Sequence, residues 1–148
     1  MDKNIIILER RLFSAIGHER TQVSAINELI GNEKTLVISC EDIDSSEMPF
    51  KNKIISQLPK LNLKEEGQEP KNYIQASGNK LIKIFHEHKL NKIDKIIIPS
   101  ARKLEISVIT DLYEKNLFPP NITPVIRILD VVFIENLPKA TLSKFFSL

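Results

Sequence analysis

The residues with the clearest chemical potential lie at a polar turn that follows a short apolar run. Residues 96–98 are consecutive isoleucines, and this β-branched run predicts a strand buried on both faces that ends at Pro99. Ser100 is then placed to cap a helix, because apolar residues recur at three- and four-residue steps from Arg102 onward. In an open parallel sheet, ligands bind at the carboxyl ends of strands, where backbone N–H groups at helix starts are free. The turn from Pro99 to Arg102 is therefore predicted to border a ligand site.

Arg127 interrupts a second apolar run, residues 124–129, which predicts the last strand of the sheet. Near the carboxyl end of that strand, a guanidinium either extends to solvent from an edge strand or points into the cleft. Asp130 follows closely and could pair with it. The sequence leaves both placements of Arg127 open.

Two other groups carry potentially reactive side chains, but their sequence context argues against a metal site and against a disulfide. His86 and His88 are two residues apart near the end of a predicted helix, so their side chains point roughly 200° apart and cannot share one metal ion. We interpret them as cations near a helix carboxyl end, and no metal site is predicted. Cys40 is the single cysteine, which excludes an intrachain disulfide, and its apolar neighbours indicate a buried thiol.

An acidic loop after the second predicted strand contains Glu41, Asp42 and Asp44. A carboxylate at this place binds ribose in dinucleotide folds, but the glycine-rich fingerprint that should precede it is missing. No phosphate-binding loop with a glycine before Lys-Ser or Lys-Thr is present either. We therefore interpret the loop as solvated and reject a nucleotide-dependent oxidoreductase.

Apolar runs and amphipathic segments alternate along the chain. Strands are predicted at residues 4–8, 34–40, 53–58, 96–98 and 124–129, and helices start near residues 18, 71, 102 and 137. This order predicts an α/β fold: a doubly wound, mainly parallel Rossmann-like sheet in strand order 3-2-1-4-5, with helices on both faces. The connection changes direction between the first and fourth strands. The ligand crevice should then lie between residues 9–18 and residues 99–102.

Length and composition set the broad class. A chain of 148 residues with 42% hydrophobic residues can form one domain with a real core. The formal net charge of +2 is too small to indicate nucleic acid or an anionic membrane as the main partner. The amino terminus lacks a signal-peptide pattern and no apolar run reaches membrane-spanning length, so we expect a cytoplasmic protein.

Three stretches carry a family resemblance: GHERTQVSAINELI from Gly17, DKIIIPSARKLE from Asp94, and TPVIRILD from Thr123. They resemble the N-terminal half of GT-B fold glycosyltransferases, particularly the family 4-like group. Members of that group are similar in having a glycine-bearing loop after the first strand, a Pro-Ser or Pro-Thr turn after the fourth, and a strand with an arginine soon after. The resemblance covers nearly the whole chain and implies the acceptor-side half of a two-half enzyme.

The resemblance implies substrate-binding roles for five residues. Gly17 would let the backbone approach a bound diphosphate or sugar, and His18 would face the cleft at the start of a helix. Ser100, and the turn that runs on to Arg102, would offer hydroxyl and backbone donors. Arg127 would hold an anionic or hydroxyl-rich acceptor. These roles are hydrogen bonding and anion stabilisation, and the resemblance assigns no catalytic residue.

The implied reaction transfers a sugar from a nucleotide-sugar to a saccharide or lipid-linked acceptor, without a metal or other cofactor. The nucleotide-sugar half carries a Glu-seven-residues-Glu motif in this family and would have to follow residue 148. Glu33 and Glu41 match that spacing, but they flank a predicted strand and do not open a helix. We therefore expect the chain alone to be inactive and to need a C-terminal nucleotide-sugar domain as partner. A lipid-linked acceptor would bring it to the inner face of the membrane.

The alternative hypothesis is a stand-alone flavodoxin-like interaction or regulatory domain without catalysis. A phosphoacceptor receiver needs an acidic cluster after the first strand, an aspartate after the third and a lysine after the fifth. Here Glu9 is followed by two arginines, Leu58 by Pro59, and the last strand ends in Asp130. Only a general binding module remains under this alternative.

Overall fold

In the part of the chain that the structure describes, five parallel strands form one central sheet. The computed structural model describes residues 3–12, 17–41, 43, 48, 54–60, 71–88 and 92–128. The strands are β1 (Ile5–Leu8), β2 (Thr35–Cys40), β3 (Ile54–Leu58), β4 (Lys95–Ala101) and β5 (Thr123–Ile128). All neighbouring pairs are parallel and their order is β3-β2-β1-β4-β5, which confirms the predicted doubly wound Rossmann-like sheet.

Within the described ranges, three helices cover the two faces of this sheet: α1 (His18–Ile30), α2 (Lys71–Glu87) and α3 (Lys103–Glu114). Right-handed crossovers place α1 on one face and both α2 and α3 on the other. There α2 and α3 pack closely, with Gly78 of α2 beside Leu112 of α3. The predicted starts near residues 18, 71 and 102 are confirmed to within a residue. The helix expected at residues 137–148 lies outside the described residues.

The core is built from the apolar runs that predicted the strands, packed against the apolar faces of the helices. Every residue of β2 is buried, and Ile6 and Ile7 of β1 have no exposed surface. Such continuous apolar runs are typical of strands covered on both faces by helices. Among the described residues, no helix combines the length and apolar character needed to cross a membrane.

The strand β4 continues through Pro99, where the sequence predicted that it would end. Proline has no N–H to donate to a neighbouring strand, and the pairing of β4 with β5 shifts register between Ile98 and Ala101. The shift accommodates the proline and lets the strand resume with Ala101 opposite Ile128. Ser100 is therefore a buried strand residue.

The predicted helix cap at Ser100 is consequently wrong, because the N-cap of α3 is Arg102. The backbone of Arg102 is extended, and its N–H donates to Glu105 Oε2 at 2.8 Å. A glutamate three residues into a helix commonly closes its first turn in this way. The correction matters for function, since the Ser100 hydroxyl is left to make a contact elsewhere.

Candidate functional site

The candidate site lies where β1 and β4 end side by side at the carboxyl edge of the sheet. These two strands are direct neighbours, with Ile5 opposite Lys95 and Ile7 opposite Ile97. From β1 the chain continues to α1 and β2 on one side, and from β4 it continues to α3 and β5 on the other. This divergence makes the edge a topological switch point, where α/β folds bind ligands. We call it the switch-point crevice.

A short chain of hydrogen bonds joins the two stretches that border the crevice. The Ser100 hydroxyl donates to Gln22 Oε1 at 2.6 Å, and Gln22 Nε2 lies 2.7 Å from His18 Nε2. Ser100 is buried, Gln22 is half-buried and His18 is exposed, so the chain runs from the interior to the surface. Gly17, the N-cap of α1, is extended and leaves the first N–H groups of the helix without a side-chain cap.

Glu9, the first residue after β1, is a buried carboxyl group with only 3% of its surface exposed. Its Oε1 accepts the Arg11 N–H at 3.1 Å, whereas its buried Oε2 has no hydrogen-bond partner within the described part of the chain. Burial raises the pKa of Glu9 to about 7, and the nearby carboxyls of Glu105 and Glu19 act in the same direction. The Arg11 N–H and the Ser100 hydroxyl lower this pKa by less. Glu9 is therefore a carboxyl group that changes its charge near neutral pH.

A buried ion pair fixes the start of α3 to the end of β1. Both Nε and Nη2 of Arg10 donate to Glu105 Oε1, at 2.8 Å and 2.5 Å, and the two side chains are 5% and 7% exposed. The other oxygen of Glu105 accepts the Arg102 N–H. Charge-assisted bonds of this kind hold geometry firmly because breaking one leaves a buried charge unpaired. The two sides of the crevice are thus held at a fixed spacing.

The rim of the crevice carries charges of both signs. Burial lowers the pKa of Arg11, and the guanidinium groups of Arg102 and Arg10 lower it further. The carboxyl groups of Glu19 and Glu105 act on Arg11 in the opposite direction. Charges of both signs beside neutral donors and acceptors suit an uncharged, hydroxyl-rich ligand better than a polyanion.

A small cavity lies beside the ion pair, between the sheet and the α2–α3 pair. Its volume is about 30 Å³, and Arg10, Tyr73, Ser77 and Glu105 contribute to its walls. The Tyr73 hydroxyl donates to the Pro59 carbonyl at 2.6 Å, and burial raises the pKa of Tyr73. A space of this size holds one or two water molecules and no metabolite.

The structure brings three of the five predicted site residues together. Gly17 and His18 begin α1, and Ser100 is linked to His18 through the single side chain of Gln22. Arg102 lies close by as the N-cap of α3, with its side chain exposed.

Arg127 is on β5, which is at one edge of the sheet among the described strands, and its side chain is exposed. Its neighbours Ile126 and Ile128 pair with Ile98 and Ala101, so Arg127 lies beside Pro99 and Ser100 of β4. Of the two placements that the sequence left open, the edge strand holds among the described residues. Asp130, its suggested partner, lies outside the described residues.

The structure also places groups that the sequence analysis set aside. Cys40 is buried, and its Sγ is 3.6 Å from the Pro59 carbonyl oxygen. Glu41 is exposed, as expected of a solvated loop, whereas Asp42 and Asp44 lie outside the described residues. Within the described ranges, no three histidine, cysteine or acidic side chains are grouped to hold a metal ion.

Sequence reasoning missed Gln22, Glu9 and Glu105 as parts of the site. Gln22 could have been found from its position four residues after His18, since such pairs share one helix face. Glu9 is the first polar residue after the apolar run of β1. Its burial carried no sequence signal, because a polar group after a strand is ordinarily solvated.

Fold and site together define a class: a doubly wound, Rossmann-like α/β domain with a polar crevice at its switch point. Comparison of the chain with protein-family models, curated protein sequences and solved structures gives no match.

Proposed function

We propose that this chain is the acceptor-binding half of a glycosyltransferase that transfers a sugar from a nucleotide-sugar to a saccharide or lipid-linked acceptor. One observation carries the proposal: hydrogen bonds among Ser100, Gln22 and His18 connect the end of β4 to the first turns of α1 at the switch-point crevice. Hydroxyl, amide and imidazole groups both donate and accept hydrogen bonds, as recognition of sugar hydroxyls requires. The resemblance of residues 17–30 and 94–105 to GT-B enzymes supports the same conclusion.

In this proposal the crevice orients the acceptor and supplies no catalytic group by itself. An acceptor hydroxyl would bind between the start of α1 and the end of β4, near His18 and Ser100. The nucleotide-sugar, as co-substrate, would be held by a second Rossmann-like half facing this edge. We place the protein in the cytoplasm or, for a lipid-linked acceptor, at the inner face of the membrane.

Nuclear magnetic resonance of the ¹⁵N-labelled chain tests this proposal. A half-site should bind saccharides weakly, and a Kd of about 1 mM corresponds to only about −4 kcal/mol, which amide shift titrations still detect. We expect neutral mono- and disaccharides to shift the amide signals of Gly17, His18, Gln22 and Ser100. Nucleotide-sugars should shift these signals no more than their free sugars do.

Two variants and a matched control sharpen the test. Ser100→Ala and Gln22→Ala should each weaken saccharide binding about tenfold, because each leaves a partner in the crevice without its hydrogen bond. Gln75→Ala, at an exposed position of α2, should leave binding unchanged. If no saccharide shifts the crevice amides, or if the shifts survive both variants, the proposal is wrong and the interaction-domain alternative is favoured.

A further inference from the structure

A row of buried polar side chains crosses the carboxyl ends of three neighbouring strands. In the ladder between β2 and β3, Ser39 lies opposite Ser56. The ladder between β1 and β2 continues one residue past β1, because the Glu9 N–H donates to the Ile38 carbonyl at 3.1 Å. This bond places Glu9 opposite Ser39, and opposite side chains of parallel strands point to the same face of a sheet. We call Glu9, Ser39 and Ser56 the polar row.

The polar row lies on the face of the sheet that α1 covers. Thr35 is four residues before Ser39 and points to the same face of β2, and its hydroxyl donates to Asn27 Oδ1 of α1 at 2.7 Å. Four strand residues span about 13 Å, which corresponds to about nine residues of the antiparallel helix. The polar row is therefore level with the first turn of α1, where Arg20 is the buried residue.

Each side chain of the polar row has a buried oxygen with no hydrogen-bond partner in the described part of the chain. These oxygens are Glu9 Oε2, Ser39 Oγ and Ser56 Oγ. Ser39, in the middle of the row, has no exposed surface, and Glu9 is only 3% exposed. Buried polar atoms in native proteins are nearly always hydrogen-bonded, and ordered water commonly satisfies those that the protein leaves over. Three such oxygens in one row indicate a shared partner.

The spacing of the strands fits an oxygen that bridges the row. Opposite hydroxyls on strands about 4.8 Å apart are too distant for a direct hydrogen bond of about 2.8 Å. One oxygen between them can bond to both. A water molecule can also donate to Glu9 Oε2 while it accepts from a serine hydroxyl.

The charges around the polar row favour a neutral occupant. An anion would lie beside the carboxyl group of Glu9, and a metal cation would lie beneath the buried, positively charged Arg20. Both placements oppose like charges in a site with little access to solvent. Water meets neither repulsion.

We infer that the polar row is a binding site for ordered water, with Ser39 as its central ligand and Glu9 and Ser56 on either side. The water gives the second oxygen of Glu9 an uncharged partner and joins the ends of β1, β2 and β3 beneath α1. This site goes beyond the proposed function and does not depend on it, because it follows from strand register and burial whatever ligand the crevice takes.

Magnetic relaxation dispersion of ¹⁷O water tests the inference on the full chain in solution. Oxygen-17 reports whole water molecules with long residence times, and serine hydroxyl groups do not contribute. We expect Ser39→Val to reduce the dispersion by the amplitude of about one water molecule, because its added methyl groups occupy the place of the oxygen. Thr123→Val is the matched control, since it removes a hydroxyl from an exposed position of β5 and should leave the amplitude unchanged.

Thermal unfolding of a smaller variant gives a second measurement, should Ser39→Val fold poorly. Ser39→Ala should lower the Tm by about 3 °C, because the bound water loses one of its hydrogen bonds. A hydroxyl buried with no partner at all predicts the opposite sign, since its removal would raise the Tm.

The inference is overturned if Ser39→Val leaves the ¹⁷O dispersion unchanged, or if Ser39→Ala leaves the Tm unchanged or raises it. A high-resolution crystal structure of the unmodified chain gives the direct answer. A water oxygen about 2.8 Å from Ser39 Oγ supports the site. A cation with oxygen contacts of about 2.4 Å, or a side chain in place of the water, overturns it.

Discussion

At the scale of single residues, Glu9 is unusual because it combines near-complete burial with an unused carboxyl oxygen. A buried, unpaired charge lowers the stability of the folded chain, and such groups are found at functional sites, where the charge has a chemical role. Because of this cost, the charge state of Glu9 should be measurable as a change in the free energy of unfolding.

We predict that the chain becomes less stable as pH rises from about 4.5 to about 7 because of Glu9. Its pKa is raised from 4.5 to about 7 in the folded state, so the folded chain binds more protons than the unfolded chain between these values. Stability then falls with rising pH, by at most about 3 kcal/mol for a shift of this size. Urea unfolding at several pH values measures the slope.

Replacing Glu9 by glutamine should remove this loss. The variant should exceed the unmodified chain in stability by up to about 3 kcal/mol near pH 8 and lose that advantage near pH 4.5. Glu114→Gln, at an exposed position at the end of α3, provides the control and should alter the pH profile little. Parallel profiles for Glu9→Gln and the unmodified chain would contradict the assignment of the buried charge.

At the scale of elements, the sequence predicted the identity of each described strand and helix better than its ends. Periodicity depends on which face a residue buries, and this holds for the whole length of an element. The end of β4 depends instead on a register shift beside Pro99, which involves pairing with a strand 25 or more residues away in sequence. Local pattern carries no information about such a partner, so Ser100 was expected to cap a helix.

The site shows the same division. Strand order predicted that the stretches bearing Gly17, His18 and Ser100 meet at one edge of the sheet, whereas the family resemblance supplied their expected binding roles. Gln22 and Glu105 were missed because their roles depend on side-chain contacts that connect α1 to β4 and α3 to the end of β1. The sequence could not decide between the two placements of Arg127, because an edge strand and an inner strand differ here only in the elements that pack beside them.

The packing of α2 against α3 depends on a glycine, and we predict a coupled response there. A Cβ added at Gly78 would lie 3.2 Å from Leu112 Cδ2, tighter than ordinary contact. Alanine adds about 1 kcal/mol of helix propensity, which this crowding should cancel, so Gly78→Ala should be nearly neutral. Gly78→Val cannot fit and should destabilise by about 1–3 kcal/mol.

A double-mutant cycle separates the two effects. After Leu112→Ala, which alone should cost about 2–5 kcal/mol, the crowding is gone and Gly78→Ala should stabilise by about 1 kcal/mol. Ala76→Gly, at an exposed position of the same helix, measures the difference in helix propensity between alanine and glycine without any contact with Leu112. A Gly78→Ala effect that is equal in both backgrounds would show that Leu112 does not limit the space.

At the scale of the whole molecule, alternation of strands and helices determined the topology. Each parallel pair needs a crossover, right-handed crossovers leave few strand orders, and the change of direction creates the crevice. The position of the crevice is thus a consequence of topology, whereas the residues that line it depend on the local sequence. The same topology places β1 at the centre, with neighbours on both sides and helices over both faces.

This central position predicts how stability is distributed through the molecule. Ile6 and Ile7 of β1 have no exposed surface and pair with both β2 and β4. Their amides should exchange with solvent only through global unfolding, with a urea dependence equal to that of equilibrium unfolding. In β5, Val125 is 45% exposed and the strand has one paired neighbour among the described residues, so its amides should open locally at lower free energy.

Native-state hydrogen exchange followed residue by residue measures this difference. Ile7→Ala should cost about 2–5 kcal/mol and accelerate exchange in all five strands together, because it weakens the unit that opens last. Val125→Ala is the matched control, and its effect should stay within β5 and its pairing with β4. If β5 amides exchange as slowly as those of β1, with the same urea dependence, the two strands belong to one cooperative unit. The stable base of the crevice would then extend to the strand that carries Arg127, rather than ending at β4.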